Sequence, residues 1–398
     1  MTSIPQDLIA SALAEHKAGR LQSALSLYGK VLSAQPDHLD ALHLAGVVAH
    51  QLGDHKQAEG LMARALRRQP RSAGILFNYG HVLRALGRHD DAALAWHQAA
   101  AIDPRQAGAL VNLAQMRMEQ GRLSEAFAQV QSALAIAPNL HEAHYNLAII
   151  LRKMFDAGDV EAARTQAGAW LARFPGNTLA QHTAAAFGVG APPDRASDGY
   201  VQAVFDGFSA RFDKTLQKLG YRAPQALAEA LELLLPDLSG LDILDAGCGT
   251  GLCAPLLKAR AKTLVGVDLS PGMLDKAHAR GLYDRLAAAE LTGFLEGAPA
   301  AFDLIVAADV LCYFGDLDAV LRAAHGALRP GGHIAFTVER ELDAEGFVLR
   351  TSGRYAHAER HVRSLLTQAG FTILGCDPQV LRHEAGMPVE GLVVLAAR

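Results

Sequence analysis

Cysteine is scarce in this chain, and what there is does not cluster. The four residues Cys248, Cys253, Cys312 and Cys376 form no CxxC pair and share no metal-ligand spacing with histidine, so neither a disulfide framework nor a zinc site is expected. Aromatic residues make up only 6% of the chain, and no apolar run approaches the roughly 18 residues that span a bilayer. The N-terminal stretch "MTSIPQDLIASALAEHK" has no basic segment followed by an apolar core, so no leader and no membrane partner are expected, and a cytoplasmic location follows. A surplus of positive charge is missing too. The 37 Lys and Arg against 41 Asp and Glu leave a net charge of −4, with neither half basic, which excludes a surface built to neutralise nucleic-acid phosphates. What remains is a soluble globular composition, half hydrophobic, over 398 residues: enough for two cores.

The first half repeats itself. Pro36, Pro70, Pro104 and Pro138 are 34 residues apart, as are Gly19, Gly53, Gly87 and Gly121, and Ala24, Ala58, Ala92 and Ala126. A fifth unit continues with Gly158, Ala163 and Pro175 after an insertion of three residues near "RKMFDAGD". The phase describes a helical hairpin: a glycine at the turn, a small alanine where two helices approach, and a proline closing the unit. This resembles the tetratricopeptide repeat, with about five units over residues 5–176. The resemblance implies a stacked superhelix whose first helices line a concave groove, the usual place for a bound peptide. Asn78, Asn112 and Asn146 share one first-helix position, 34 residues apart. Their amides offer a donor and an acceptor to an extended peptide backbone, similar to the asparagine ladder of the O-linked N-acetylglucosamine transferase repeats. The other reading is asparagine tolerated on a solvated helix face. Ala10 and Leu44 take the position in units one and two.

After Pro175 the period stops, and "GVGAPPDRASDGY" gathers glycine, proline and small polar residues, placing a linker over residues 177–197. Next, Phe205, Phe208 and Phe212 lie at i, i+3 and i+7, one face of a helix that belongs to a core or lies over a pocket. From residue 241, "LDILD", "TLVGV", "DRLAAA", "FDLIVAA" and "HIAFTV" alternate with helical patterns starting at Leu252, Pro271, Leu317 and Glu359, which predicts a parallel sheet between helices. "FTILGC" and "GLVVLAAR" close the chain as a hairpin, so the last strand runs antiparallel. Seven strands with this ending resemble the class I S-adenosylmethionine-dependent methyltransferases, over residues 198–398. The expected fold is therefore α + α/β: an N-terminal α-helical tetratricopeptide solenoid, then a seven-stranded Rossmann-like methyltransferase domain.

Between the first strand and its helix stands Asp245-x-Gly247-x-Gly249-x-Gly251. A glycine turn of this kind can cradle a dinucleotide, a phosphate or S-adenosylmethionine. The dinucleotide fingerprint needs glycine where Leu252 stands, and no Lys-Ser or Lys-Thr follows for a phosphate loop. An acid at Asp245, pointing into the crevice, opposes a pyrophosphate and suits a ligand with an ammonium and a sulfonium. The glycines allow close approach of backbone. Asp268 ends the second strand, 21 residues past Gly247, where a carboxylate accepts from ribose hydroxyls. Ser270 and Pro271 read as N-cap and first helical position, and Met273 as a partner for an adenine face.

The methyltransferase resemblance carries over residue by residue. It implies S-adenosylmethionine as cofactor, bound by Asp245, Gly247, Gly249, Gly251, Asp268, Leu269 and Met273, with Glu290 at the adenine amino group and Asp309 beside the transferred methyl. "LRPGGHIAF" matches the turn before the fifth strand. Together with "RASDGYVQAVFDGFSARFD", "SGRYAHAERHV" and "GMPVEGLVV", the repeats resemble a bacterial family of tetratricopeptide-repeat methyltransferases.

In-line attack on a sulfonium methyl needs proximity, alignment and in some cases a base. No Asn/Asp-Pro-Pro-Tyr/Phe follows the fourth strand, where Asp309-Val310-Leu311-Cys312 stands, which weakens nucleobase and glutamine acceptors and leaves oxygen, carbon, sulfur or an aliphatic amine. The segment "ERELDAEGFVLRTSGRYAH" is expected to roof the site. That makes His357, Tyr355 and Asp309 the catalytic candidates, and Arg350 with Arg354 a pair suited to a carboxylate or phosphate. Three functions fit these residues: a methyltransferase whose repeats recruit a protein-borne acceptor, a small-molecule methyltransferase whose repeats serve assembly, and a repeat scaffold with an inactive methyltransferase domain.

Overall fold

A computed structural model describes residues 6–206, 212–384 and 386–398, and Phe208 of the aromatic stripe lies outside them. The chain divides into two compact units, Met1–Lys153 and Met154–Arg398.

In the first unit the 34-residue period becomes antiparallel helix pairs: α1 (Gln6–Lys17) with α2 (Leu21–Ala34), α3 (Leu39–Gln51) with α4 (His55–Arg68), α5 (Ala73–Ala85) with α6 (His89–Ile102), and α7 (Ala107–Glu119) with α8 (Leu123–Ile136). Helices α9 (His141–Asp156) and α10 (Val160–Arg173) follow in sequence, the division between the two units falling within α9. The repeated alanines Ala24, Ala58, Ala92, Ala126 and Ala163 are fully buried, as their placement at the helix contacts requires. Gly53 shows why the turn is glycine: its φ of +87° is a left-handed helix end that a Cβ would strain. At Gly80 the reason is space, since a Cβ there would overlap the indole of buried Trp96, whose Nε1 donates to the Phe77 carbonyl at 3.0 Å.

The second unit carries the sheet. Its strands are β1 (Leu241–Ala246), β2 (Ala261–Asp268), β3 (Arg285–Ala288), β4 (Phe302–Ala307), β5 (Leu328–Glu341), β6 (Phe347–Leu349), β7 (Tyr355–Ala358), β8 (Thr372–Glu384) and β9 (Met387–Ala397). The order β3-β2-β1-β4-β5 is parallel throughout; β9 then pairs antiparallel with β5, and β8 with β9. All seven expected strands are present, including the closing hairpin. Two short strands are additional: β7 pairs with the last residues of β5, and β6 pairs with β7. β5 runs unbroken through the expected Pro-Gly-Gly turn, with an irregular register there against β4. Continuous apolar stretches explain why the central strands are covered on both faces. Ile243, Leu264, Leu304 and Leu395 pack with Leu227 and Leu231 of α14 (Ala223–Leu234) and with Leu257 of the single-turn α15 (Ala254–Leu257).

The stretch expected as a joint is structured. Residues Thr178–Ala186 form α11, whose buried His182 bonds through Nε2 to the Gly353 carbonyl at 2.8 Å and stacks on Tyr200, centroids 3.9 Å apart. Beyond it, the Asp194 carbonyl accepts from the N–H groups of Gly315 and Asp316, both at 2.8 Å. Backbone hydrogen bonds rather than side-chain patterning fix this segment, so composition alone reads it as loose. Among the described residues no helix is long and apolar enough to cross a membrane.

Candidate active site

Strand order reverses between β1 and β4, which opens a crevice beyond their carboxyl ends. The glycine loop enters it. Gly247 (φ +65°) and Gly249 (φ +53°) both line the resulting cavity. A Cβ on Gly247 would overlap Val310, whereas one on Gly249 would meet nothing nearer than a Phe212 ring carbon at 4.0 Å, so the second glycine leaves room in the cavity. The Gly249 N–H donates to Asp268 Oδ2 at 2.9 Å, and the Ser270 N–H to Oδ1 at 2.8 Å. Burial raises the Asp268 pKa above the usual carboxylate range, and these N–H bonds work against the rise. Ser270 is the N-cap of α16 (Pro271–Ala279), accepting from the Met273 N–H at 3.2 Å, with Pro271 opening the helix.

The cavity has an empty volume of about 910 Å³ including its solvent mouth. Asp268, Leu269, Met273 and Glu290 are among its lining residues. Glu290 is also the N-cap of α17 (Leu291–Glu296), its oxygens accepting from Thr292 N–H at 3.0 Å and Gly293 N–H at 2.8 Å. Phe205, Phe212, Tyr313, Asp309 and Arg354 line it too, with Arg195 and Ala196 from the segment read as a linker. Phe205 meets Tyr313 edge-on, centroids 5.6 Å apart, so Phe205 and Phe212 of the aromatic stripe face the pocket.

Asp309 follows β4 with a left-handed φ of +59°, its N–H donating to Thr337 Oγ1 at 2.9 Å. Its carboxylate is gripped by Arg382 Nη1, at 3.3 Å from Oδ1 and 3.2 Å from Oδ2. Arg382 is buried on β8, bonds Glu384 through Nε at 2.8 Å, and contacts Glu339 through Nη2. Burial disfavours the Arg382 charge, but Asp309 and Glu339 outweigh it and raise its pKa. Arg354 Nη1 lies 2.7 Å from Glu384 and 3.6 Å from Glu339, which closes the network.

Several expected site residues lie elsewhere. Asp245 is buried beneath the loop, accepting from the Tyr283 hydroxyl at 2.5 Å, and does not line the cavity. Its carboxyl is pushed up to about 7, chiefly by burial. Gly251 is also absent from the lining: a Cβ there would press on Tyr283 and Arg280 at 3.0 and 3.1 Å, so its role is packing. Tyr355 and His357 lie on β7 and are fully buried; Tyr355 donates to the Pro193 carbonyl at 2.7 Å, and His357 Nε2 bonds the Gly315 carbonyl at 3.0 Å. Burial pushes His357 down to about 4, a neutral core imidazole rather than a base at the cavity. Arg350 is turned to the Arg340 carbonyl and Glu341, so no arginine pair faces the cavity from this segment. Extension of β5 and its pairing with β7 cause these differences, turning the expected roof into sheet.

A methyltransferase-domain family model matches residues 219–375, and tetratricopeptide-repeat models match residues 15–76, 49–107 and 77–141. The ubiquinone biosynthesis O-methyltransferase of Xylella fastidiosa is 32% identical over 174 residues, 40% of this chain and 68% of that protein. The chain belongs to the S-adenosylmethionine-dependent methyltransferases, with tetratricopeptide repeats ahead of the catalytic-type domain. The malonyl-[acyl-carrier protein] O-methyltransferase of Serratia marcescens is 35% identical over 130 residues, 32% of this chain and 49% of that protein. The chain thus spans about half the length of several curated relatives it matches. Among solved structures, an S-adenosylmethionine-dependent methyltransferase from Mesorhizobium loti aligns over 44% of this chain and 98% of its own, at 28% identity and a TM-score of 0.36.

Sequence reading of this methyltransferase missed Arg382, Arg195 and Tyr313. No local signal marks them; only Arg382, a charge in an otherwise strand-like run, could have drawn notice. In the repeats, the three asparagines do share a face, but their amides are engaged. Asn78 Nδ2 lies 2.8 Å from His43 Nε2, Asn112 Nδ2 3.2 Å from His81 Nε2, and Asn146 Nδ2 3.5 Å from the Val111 carbonyl, each a residue of the preceding unit.

Proposed function

We propose that this protein transfers the methyl of S-adenosylmethionine to an acceptor held in the same cavity. The observation that carries the reading is Asp268: its carboxylate lines the cavity at the carboxyl end of β2, fixed there by backbone N–H groups including those of Gly249 and Ser270, where a ribose hydroxyl can donate to it. The surroundings fit the rest of the group. Leu269 and Met273 offer an apolar seat for adenine, and the space left by Gly249 accommodates the ligand backbone. Bound there, S-adenosylmethionine supplies an electrophilic methyl on a positively charged sulfur. The protein's part is positioning: Gly247, Gly249 and Asp268 hold the donor, the aromatic wall holds the acceptor and excludes water, and Asp309 stands at the cavity as proton acceptor. Asp245 and Gly251 support the loop from below. Both relatives described above are O-methyltransferases by name, which favours oxygen among the acceptor atoms.

The repeats supply a surface for a peptide or protein partner on the face bearing Asn78, Asn112 and Asn146. Calorimetric titration of the full chain with S-adenosylmethionine tests the donor site: one-to-one binding is expected, and no binding would defeat the reading. Incubating lysate with labelled donor tests the partner: label in the protein fraction should fall when all three asparagines become alanine.

A further inference from the structure

We infer that Arg382 is a positioning residue, fixing the Asp309 carboxylate as counter-charge to the donor's sulfonium so that the cavity tells S-adenosylmethionine from its neutral by-product, S-adenosylhomocysteine; this rests on the methyltransferase reading above. The place of Asp309 follows from strand order. Glu290 follows β3, Asp268 ends β2, Gly247 and Gly249 follow β1, and Asp309 follows β4, so in the order β3-β2-β1-β4 these cavity residues form a row. Asp268 and Glu290 are acids too, but both accept backbone N–H groups at the β2 and β3 ends, the ribose and adenine side of the row. With adenine against Leu269 and Met273 and the ribose on Asp268, the 5′ end of the nucleoside, which carries the sulfur, extends past the glycine loop towards β4. Two strand spacings, about 10 Å, separate β2 from β4. Val310 packs against Gly247, which brings its neighbour Asp309 up to the loop on that side.

Asp309 needs help to hold that place. Its backbone is left-handed, φ +59°, and its side chain is only 11% exposed, so a carboxylate there requires an opposite charge as well as an anchor. Arg382 Nη1 supplies both, bridging the two carboxylate oxygens at 3.3 and 3.2 Å. The guanidinium has little freedom to turn away. Its side chain is 1% exposed, its Nε donates to Glu384 Oε1 at 2.8 Å, and its Nη2 donates to Glu339. With two edges of a planar, rigid fork tied, the third nitrogen is aimed at Asp309. Arg382 is not among the described lining residues, so it acts through Asp309 rather than on a ligand. A carboxylate held in this way attracts a sulfonium and gains little from a neutral thioether, which turns one methyl group into a difference in affinity.

Calorimetric titrations of the full chain with S-adenosylmethionine and with S-adenosylhomocysteine read this difference as a ratio of affinities. Binding of neither by the unaltered protein would defeat the methyltransferase reading and the role of Arg382 with it. Asp309→Asn is expected to weaken S-adenosylmethionine about ten-fold and S-adenosylhomocysteine by less than about two-fold. Arg382→Gln combined with Glu339→Gln removes one positive and one negative charge, so the net charge beside the cavity, where Arg195, Arg354, Asp268 and Glu290 also stand, is unchanged. What Asp309 loses is the grip, and the same selective loss of about ten-fold is expected. Adding Asp309→Asn to that pair should cost less than about two-fold more, because Arg382 acts through Asp309. Arg382→Lys keeps a charge beside Glu339 without the fork and is expected to lower the ratio about three-fold; it decides the matter if circular dichroism shows the double variant unfolded. A ratio unmoved by D309N, a ratio unmoved by the Arg382 variants, equal weakening of both ligands, or losses that add in the triple variant would overturn the role of Arg382 while leaving the donor site standing.

Discussion

The N–H of Ala196 donates to the carbonyl of Tyr313 at 2.8 Å, tying a segment between two helices to the wall of the cavity. Arg195 bridges to Phe314 beside it in antiparallel fashion. A tether would exchange its amide hydrogens freely, whereas this pairing protects them. Hydrogen exchange followed by mass spectrometry should show slow exchange at Ala196 and Gly315, and exchange at the rate of an unstructured peptide would refute the pairing.

The proposed donor site rests on Asp268 and Gly249, so damage to either should act on binding rather than folding. Asp268→Asn is expected to weaken S-adenosylmethionine by roughly 1.5–3 kcal/mol, the worth of hydrogen bonds to a charged group. Gly249→Val, at a left-handed φ, should abolish binding. Calorimetry reads the affinity, and circular dichroism should show the helical repeats unchanged in both variants.

Asp245 and His357 impose opposite pH trends on stability. The Asp245 pKa is raised to about 7 by burial, so its folded state prefers the proton, and stability present below the unfolded value near 3.8 is lost as pH rises towards 7. Asp245→Asn, which keeps a partner for the Tyr283 hydroxyl, should therefore gain roughly 2–3 kcal/mol of stability relative to the wild type between pH 5 and pH 7.5 in urea melts.

The His357 pKa is lowered to about 4 by burial, so its stability contribution is present above the unfolded value of 6.5 and is lost as pH falls towards 4. His357→Gln should flatten the acid side of the stability profile without shifting the pH profile of methyl transfer. A shifted transfer profile would restore this histidine as a base.

Gly80 lies against the Trp96 indole, so Gly80→Ala should destabilise the repeat unit by about 1–3 kcal/mol through overpacking. Pairing it with Trp96→Phe, which removes the crowding nitrogen, should cost less than the two single changes summed. Thermal melts of the four chains close the cycle.

Local patterns carried most of the fold. A 34-residue period fixes helix length, turn glycine and contact alanine, because each depends on residues within one hairpin. The alternation of apolar strands and helical segments likewise yields the parallel order and the closing hairpin, since strand pairing follows from chirality and connection length. That Gly249 and Asp268 lie together at the ends of β1 and β2 follows for a related reason: adjacent parallel strands bring successive strand ends together. Tertiary structure alone decided where charges and roofs fall. Arg382 meets Asp309 across 73 residues of chain although β5 and β9 lie between β4 and β8 in the sheet, a juxtaposition no local spacing encodes. Asp245, Tyr355 and His357 carry suitable chemistry, yet strand register turns them away from the cavity, and a one-residue change of register is enough to reverse a side chain's face.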